Sequence, residues 1–304
     1  MRVTNKMISD RVLFNIQTSL KRISKLHDQL SSGYRVRYPS DDAVVAKRAS
    51  DIMTRKRELE QFQRNLDHVQ TYVNAYDSAL QTVSTVSQRL RELLVRASNG
   101  TLSRDEREAI AEEIDKIKEN LVEIANTRIG NDYIFAGYDV FNRPVEFKNG
   151  AWEITTSPAS EGKRSVVVLG YSVNYGVTAS EVFKLDDGRN VFQTLEEVSN
   201  ILRSNIDDDQ ISLHISNVAL KDLSSFEEKI TKVIGKIGGV SRFLEMMNSR
   251  IEDLDFFFTE YLSKERDADI TELVTDLAMQ QSVLEAALKS ASRVLQATLV
   301  DFVR

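Results

Sequence analysis

The sequence predicts a mainly α-helical protein: an elongated antiparallel coiled-coil or helical-bundle rod built from both chain ends, with a small β-rich domain inserted between them. Two observations carry this. Long stretches near either end repeat apolar residues at heptad spacing, and the segment between them changes composition abruptly. The heptads predict helices that keep one face on a partner along a left-handed supercoil, and the interruption predicts a separate fold.

The first seam runs through Leu59, Phe62, Leu66, Val69, Val73, Tyr76, Leu80, Val83, Ser87, Leu90, Leu94 and Ala97 in strict 3-4 alternation. The second runs through Leu223, Phe226, Ile230, Val233, Ile237, Val240, Leu244, Met247, Ile251, Leu254, Phe258 and Tyr261. Each predicts a helix of roughly 58 Å at 1.5 Å per residue. Gly235, Gly238 and Gly239 lie off the second seam, where they loosen the helix without breaking it. A shorter seam, Ile110, Ile114, Ile117, Leu121 and Ile124, opens on the capping box Ser103-Arg104-Asp105-Glu106. Gly130 is expected to end it as a left-handed C′ residue.

From Asp132 to about Ile215 the chain carries two of its three prolines and its only tryptophan. Asn149-Gly150 between short apolar runs predicts a hairpin in "VEFKNGAWEIT". "RSVVVLG" and "YSVNYGVTA" predict further strands, and "TLEEVSNILR" a short helix capped near Asn190 or Thr194. The expected division is therefore a terminal helical layer from 1–42 and 262–304, a coiled-coil rod from 43–135 and 217–261, and an inserted outer domain over 136–216.

The terminal stripes differ from the seams. Leu13, Ile16, Leu20, Ile23 and Leu30 form one, interrupted by His27; Leu277, Leu284, Leu288, Leu295 and Leu299 lie on a wider one. Paired with each other, these helices have no third layer within the chain, so the leftover apolar surface predicts assembly with other subunits. Until neighbours cover it, that layer is expected to be mobile. Between stripe and rod, "SSGYRVRYPSDDA" and "SKERDAD" read as facing joints. Gly33 can take positive φ, Pro39 cannot continue a helix, and a non-helical segment is expected near 33–40. Asp41 and Asp42 are expected to cap the next helix, and Asp269 the last one, with Asp267 in the opposite joint.

Chemistry is sparse. The chain has no cysteine, and His27, His68 and His214 are scattered, so no transition-metal or thiol site is expected. Asp207-Asp208-Asp209 lacks the glycine and distal glutamate of a calcium loop and reads as a solvated turn. Asp41-Asp42 as an acid–base pair, and Arg35 with Arg37 as a phosphate site, are both weaker readings than a cap and surface charge. A net charge of −6 with interspersed signs argues against nucleic acid as main partner. No apolar run is long enough to cross a membrane, and the opening lacks the h-region of a cleaved signal peptide. No catalytic residue set and no cofactor are expected.

The stretches "MRVTNKM", "LSSGYRVRYPSDDA", "LRELLVRASNGTLSRDEREAIAEEI", "IGNDYIFAGY", "IGGVSRFLEMMNSRIEDL", "DADITELVTDLAMQQSVLEAAL" and "SRVLQATLVDF", in this order, resemble the flagellin superfamily over about residues 1–140 and 217–304. After the third helix, where flagellins usually carry Asn-Gly…Leu-Leu-Asp-Gly, this chain has "IGNDYIFAGYDV". With "MRVTNKM", that departure points to the superfamily's hook–filament junction branch. The resemblance implies a structural axial protein, exported without a cleaved signal to the extracellular flagellum. Implied partners are further copies of itself in a ring, the first hook-associated junction protein, flagellin, the flagellar type III export apparatus and an export chaperone. A minor flagellin, or a cytoplasmic coiled-coil adaptor, are the alternatives.

Overall fold

A computed structural model describes residues 5–99, 102–148, 150–155, 164–204 and 208–302. Side chains of residues 5, 6, 8, 9, 208, 209 and 293–302 lie outside the description, and with them Leu295 and Leu299. The chain divides into two compact units, Met1–Leu59 with Glu252–Arg304, and Glu60–Ile251. The fold is mainly helical: α1 (Asn5–Ser32), α2 (Ala43–Ala97), α3 (Arg104–Ala125), α4 (Ala179–Phe183), α5 (Val191–Arg203), α6 (Asp208–His214), α7 (Leu220–Arg266) and α8 (Ile270–Phe302). Three antiparallel pairs accompany them: β1 (Arg128–Ile129) with β2 (Asp132–Tyr133), β3 (Val145–Lys148) with β4 (Ala151–Ile154), and β5 (Ser165–Val168) with β6 (Tyr171–Asn174).

In the 60–251 unit the seams bury as their spacing requires. Val69, Tyr76, Leu80, Val83 and Leu90 are fully enclosed on α2, as is Phe226 on α7, with Ile230, Ile237, Leu244 and Ile251 also buried. Gln63 Nε2 donates to Asn248 Oδ1 at 2.7 Å, and Arg91 Nε reaches Glu227 at 3.2 Å, so α2 and α7 run antiparallel. This register sets Leu66 level with Leu244 and Val73 with Ile237. The glycines at 235, 238 and 239 stay inside α7, with open space where a Cβ would lie.

The insert closes over this pair through aromatic rings. Tyr76, Phe135, Phe183 and Phe192 follow one another at 5.3–6.0 Å between centroids, and Phe226 of α7 lies 6.1 Å from Phe183. Edge-on and tilted rings at such separations add to area burial. The Tyr76 hydroxyl donates to the Ile134 carbonyl at 2.7 Å, and burial pushes its pKa up to about 12. Asn190 caps α5 by accepting from the Gln193 N–H at 2.9 Å, and its amide also donates to the Trp152 carbonyl, tying β4 to α5. The segment 136–216 thus carries two hairpins and, beside them, α4, α5 and α6.

The capping box of α3 is present, Ser103 Oγ accepting from Glu106 N–H while Glu106 Oε2 accepts from Ser103 N–H. Its far end departs from expectation. The helix stops at Asn126, whose N–H is shared among the last carbonyls, and Gly130 (φ 61°) sits in the β1–β2 turn instead. Pairing of Arg128 with Tyr133 outweighs continuation of the helix. Asp208 likewise starts α6 rather than lying in a turn, and strand β6 ends at Asn174, short of "YGVTA". The second seam also opens at its end: Leu254 and Phe258 are half-buried and Tyr261 is exposed.

Candidate functional site

The unit made by both chain ends contains the two joints and the terminal stripes. α1 stops at Ser32 because Gly33 turns left-handed (φ 73°) and its N–H returns to the Gln29 carbonyl at 2.8 Å. The non-helical segment runs from 33 to 42. Asp42 then caps α2, its Oδ1 accepting from the N–H groups of Val44 and Val45 at 3.0 Å. Asp41 does a different job from the expected cap. Its carboxylate accepts from the backbone N–H groups of Tyr38 and Arg37 inside the loop, which hold its pKa below the ordinary range, and Lys25 of α1 stands 3.4 Å away.

The opposite joint is short. Asp269 caps α8 by accepting from Thr271 N–H at 2.8 Å and Glu272 N–H at 3.2 Å, and these bonds lower its pKa. Between the joints the backbones zip together. Arg35 N–H donates to the Arg266 carbonyl at 2.8 Å, Ala268 N–H donates to the Gly33 carbonyl at 3.0 Å, and Tyr34 pairs with Asp267 as an antiparallel bridge. The Arg266 guanidinium lies 3.8 Å from the centre of the Tyr34 ring, and Arg35 Nη2 reaches the Glu265 carbonyl at 2.8 Å. A cation over an aromatic face adds attraction to this clasp. Within the same unit Arg48–Glu265 (3.4 Å) and Lys56–Asp255 (3.2 Å) tie the start of α2 to the end of α7.

The clasp brings Gly33 together with Asp267 and Ala268, residues more than 230 apart in the chain. Tyr34 and Arg266, which complete it, had no signal of their own in the sequence, and Arg35, read there as surface charge, bonds to the carbonyls of Glu265 and Arg266 instead; only pairing of the two joints identifies these roles. Pro39 lies in the turn that Asp41 closes.

From the clasp α1 and α8 run back along each other, antiparallel. Ile16, Ile23 and Leu30 of α1 are half-buried, as are Leu277 and Leu284 of α8. Leu13 and Leu20 remain 56% and 50% exposed, and Leu288 is 49% exposed. Ile270 and Val274, which the wide stripe of the sequence also contains, are exposed as well, and sequence reasoning missed the exposed Met279 and Val283 on α8 and Phe256 and Phe257 on α7. Among the described residues no cluster of three or more His, Asp or Glu could hold a metal, and no helix is long and apolar enough to cross a membrane. The arrangement can bind protein; it presents apolar helix faces rather than a reaction centre.

Residues 3–139 match the bacterial flagellin N-terminal helical region. Over 303 residues the sequence is 27% identical to flagellar hook-associated protein 3 of Escherichia coli (strain K12), covering 95% of this chain and 96% of that protein. Nearly end to end, the chain is similar to hook-associated protein 3. The likeness to the flagellar filament 41 kDa core protein of Borreliella burgdorferi is 34% over 104 residues, 34% of this chain and 31% of that one. A putative flagellar hook-associated protein of Vibrio parahaemolyticus shares the fold, with a TM-score of 0.69 at 17% identity, over 75% of this chain and 100% of that chain. The likeness to hook-associated protein 3 thus spans nearly the whole of both chains, against about a third of each for the filament protein.

Proposed function

We propose that this chain is a structural subunit of the bacterial flagellar axis, an adaptor joining the hook to the flagellin filament. The observation that carries the reading is the near-complete span of the likeness to hook-associated protein 3. A minor flagellin has less support, because likeness to flagellins covers less of both chains, reaching 74% of this chain and 56% of flagellin C of Vibrio anguillarum at 23% identity. The role is one of fit, with no turnover and no cofactor. Copies close into a ring between the first hook-associated junction protein and flagellin, after export through the flagellar type III apparatus with an export chaperone and without a cleaved signal.

Within the ring, residues 1–42 and 262–304 form the assembly layer, with Leu13, Ile16, Leu20, Ile23 and Leu30 meeting neighbours alongside Leu277, Leu284, Leu288, Leu295 and Leu299. Residues 43–135 and 217–261 form the coiled-coil layer, and 136–216 faces outward. Exposed leucines supported by one helix pair gain cover only when subunits close around them. The joint residues Gly33, Pro39, Asp41, Asp42, Asp267 and Asp269 separate the two layers.

Deletion of the gene and immunogold labelling test the reading together. The expected result is label confined to the hook–filament boundary, and deletion cells that release flagellin into the medium without filaments. Label spread along the filament would make the chain a flagellin; label inside the cell would remove it from the axis.

A further inference from the structure

On α8 the half-buried residues Leu273, Leu277 and Leu284 and the buried Ala291 mark the side turned to its own α1. At 3.6 residues per turn, Ile270, Val274 and Leu288 lie roughly 60° to one side of that stripe, and Met279 and Val283 roughly 115° to the other. All five are about half exposed. Apolar side chains therefore lie on both sides of the covered stripe across roughly 200° of the helix, with Asp276 and Gln280 between the stripe and the Met279/Val283 flank, which is more than one packing partner covers. α1 covers only the middle of that span.

Charge points to what covers the rest. Among the described side chains α1 holds four basic ones, Arg11, Lys21, Arg22 and Lys25, against two acidic ones, Asp10 and Asp28. Those of α8 are three acidic ones, Glu272, Asp276 and Glu285, against Lys289. Among the described residues, no ion pair or side-chain hydrogen bond joins α1 to α8 of the same chain, while Lys25 turns to Asp41. The complementary charges are thus left for another copy.

Position narrows the match. Leu13, Leu20 and His27 recur every seven residues, on one exposed flank of α1. Measured from the clasp at 1.5 Å per residue, Leu20 stands about 18 Å along α1 and Val283 about 20 Å along α8, with His27 at about 8 Å and Asp276 at about 9 Å. Copies related by rotation about a common axis keep these levels.

We propose that the Met279/Val283 flank of α8 seats the Leu13/Leu20/His27 flank of α1 from the adjacent copy. Leu20 then lies on Val283 and His27 beside Asp276. The two flanks are different surfaces, so the contact is head-to-tail and propagates around the ring rather than ending in a two-fold dimer. The inference rests on the ring assembly proposed above.

The chain has no cysteine, so an introduced pair reports cleanly. Full-length chain carrying Leu20→Cys with Val283→Cys, expressed in the deletion strain, is oxidised in isolated flagella and run without reductant. The expected result is a ladder of dimers, trimers and larger species holding most of the chain, with neither single variant forming it. A cross-linked monomer alone, dimers alone, or no cross-link while the protein labels the hook boundary overturns the contact and leaves the adaptor reading standing. Absence of wild-type label at that boundary overturns the adaptor reading and this contact with it. As a second measurement, His27→Asp or Asp276→His alone should reduce ladder yield several-fold, and the double swap should restore it. Equal yields in all three would remove His27 and Asp276 from the contact.

Discussion

The seam between α2 and α7 in the 60–251 unit and the α1–α8 pair at the chain ends are written in similar heptads, yet they end in opposite states. Along the seam Tyr76, Leu80 and Leu90 have no exposed surface, while on α1 Leu13 and Leu20 are half open to solvent. The seam is also clipped by polar contacts, Gln63 with Asn248 and Arg91 with Ser224 and Glu227. The terminal pair has no such clip among the described residues. A heptad specifies a face that must be covered. What covers it depends on a third layer, which Phe135, Phe183 and Phe192 bring to the seam and no described element brings to α1 and α8.

The contrast can be broken most forcefully at the seam. Leu80→Ala or Leu244→Ala should each cost about 2–5 kcal/mol in denaturant unfolding, because both side chains leave a cavity in a closed interface. Unfolding midpoints equal to wild type would dissolve the distinction between the two regions.

A smaller effect sits where the insert meets α2. Tyr76→Phe keeps the ring but strands the Ile134 carbonyl, at a cost of about 1–3 kcal/mol. Its pH signature has a definite sign. The folded state holds the Tyr76 hydroxyl neutral up to about 12, whereas the unfolded chain ionises at the ordinary 10.0. The stabilisation is therefore complete below pH 10 and lost as pH rises toward 12. Burial raises Tyr72 and Tyr175 as well, so the variant should flatten this alkaline slope in part. An unchanged slope would place the titration elsewhere.

The smallest effect on unfolding belongs to the terminal pair and sharpens the comparison. Val283→Asp should shift the melting of the isolated subunit by no more than about 1 kcal/mol, since its site is about half exposed and lies off the stripe turned to α1. In the assembled ring the same carboxylate would lie unpaired in an apolar contact, so cells making only this variant should lack attached filaments. Normally attached filaments would show that α8 is not an assembly surface.

Much of this was readable from residue order. The seams, the Ser103–Glu106 capping box, the Asn190 cap and the break at Gly33 are local patterns, each fixed by neighbours within a few residues. Gly130 was misread for the same reason. Its left-handed conformation was correctly expected, but a glycine five residues past a helix can serve the helix end or the next turn, and only the Arg128–Tyr133 pairing decides. Asp41 and Asp42 look equivalent in sequence; one caps α2 and the other staples the loop, because their carboxylates face different N–H groups.

By itself, then, the sequence determined the long helices, the periodicity of their apolar faces and most of their caps and breaks, since these depend on contacts within about one turn. It also carried the likeness to hook-associated protein 3. The tertiary structure alone decided which faces close. It joined Tyr34 to Asp267 and Arg266 across more than 230 residues and threaded the rings of Tyr76, Phe135, Phe183 and Phe226 into one core. It also left α8 apolar on both flanks. Burial is a property of what stands opposite a side chain, and for a residue paired far along the chain no local pattern holds that information.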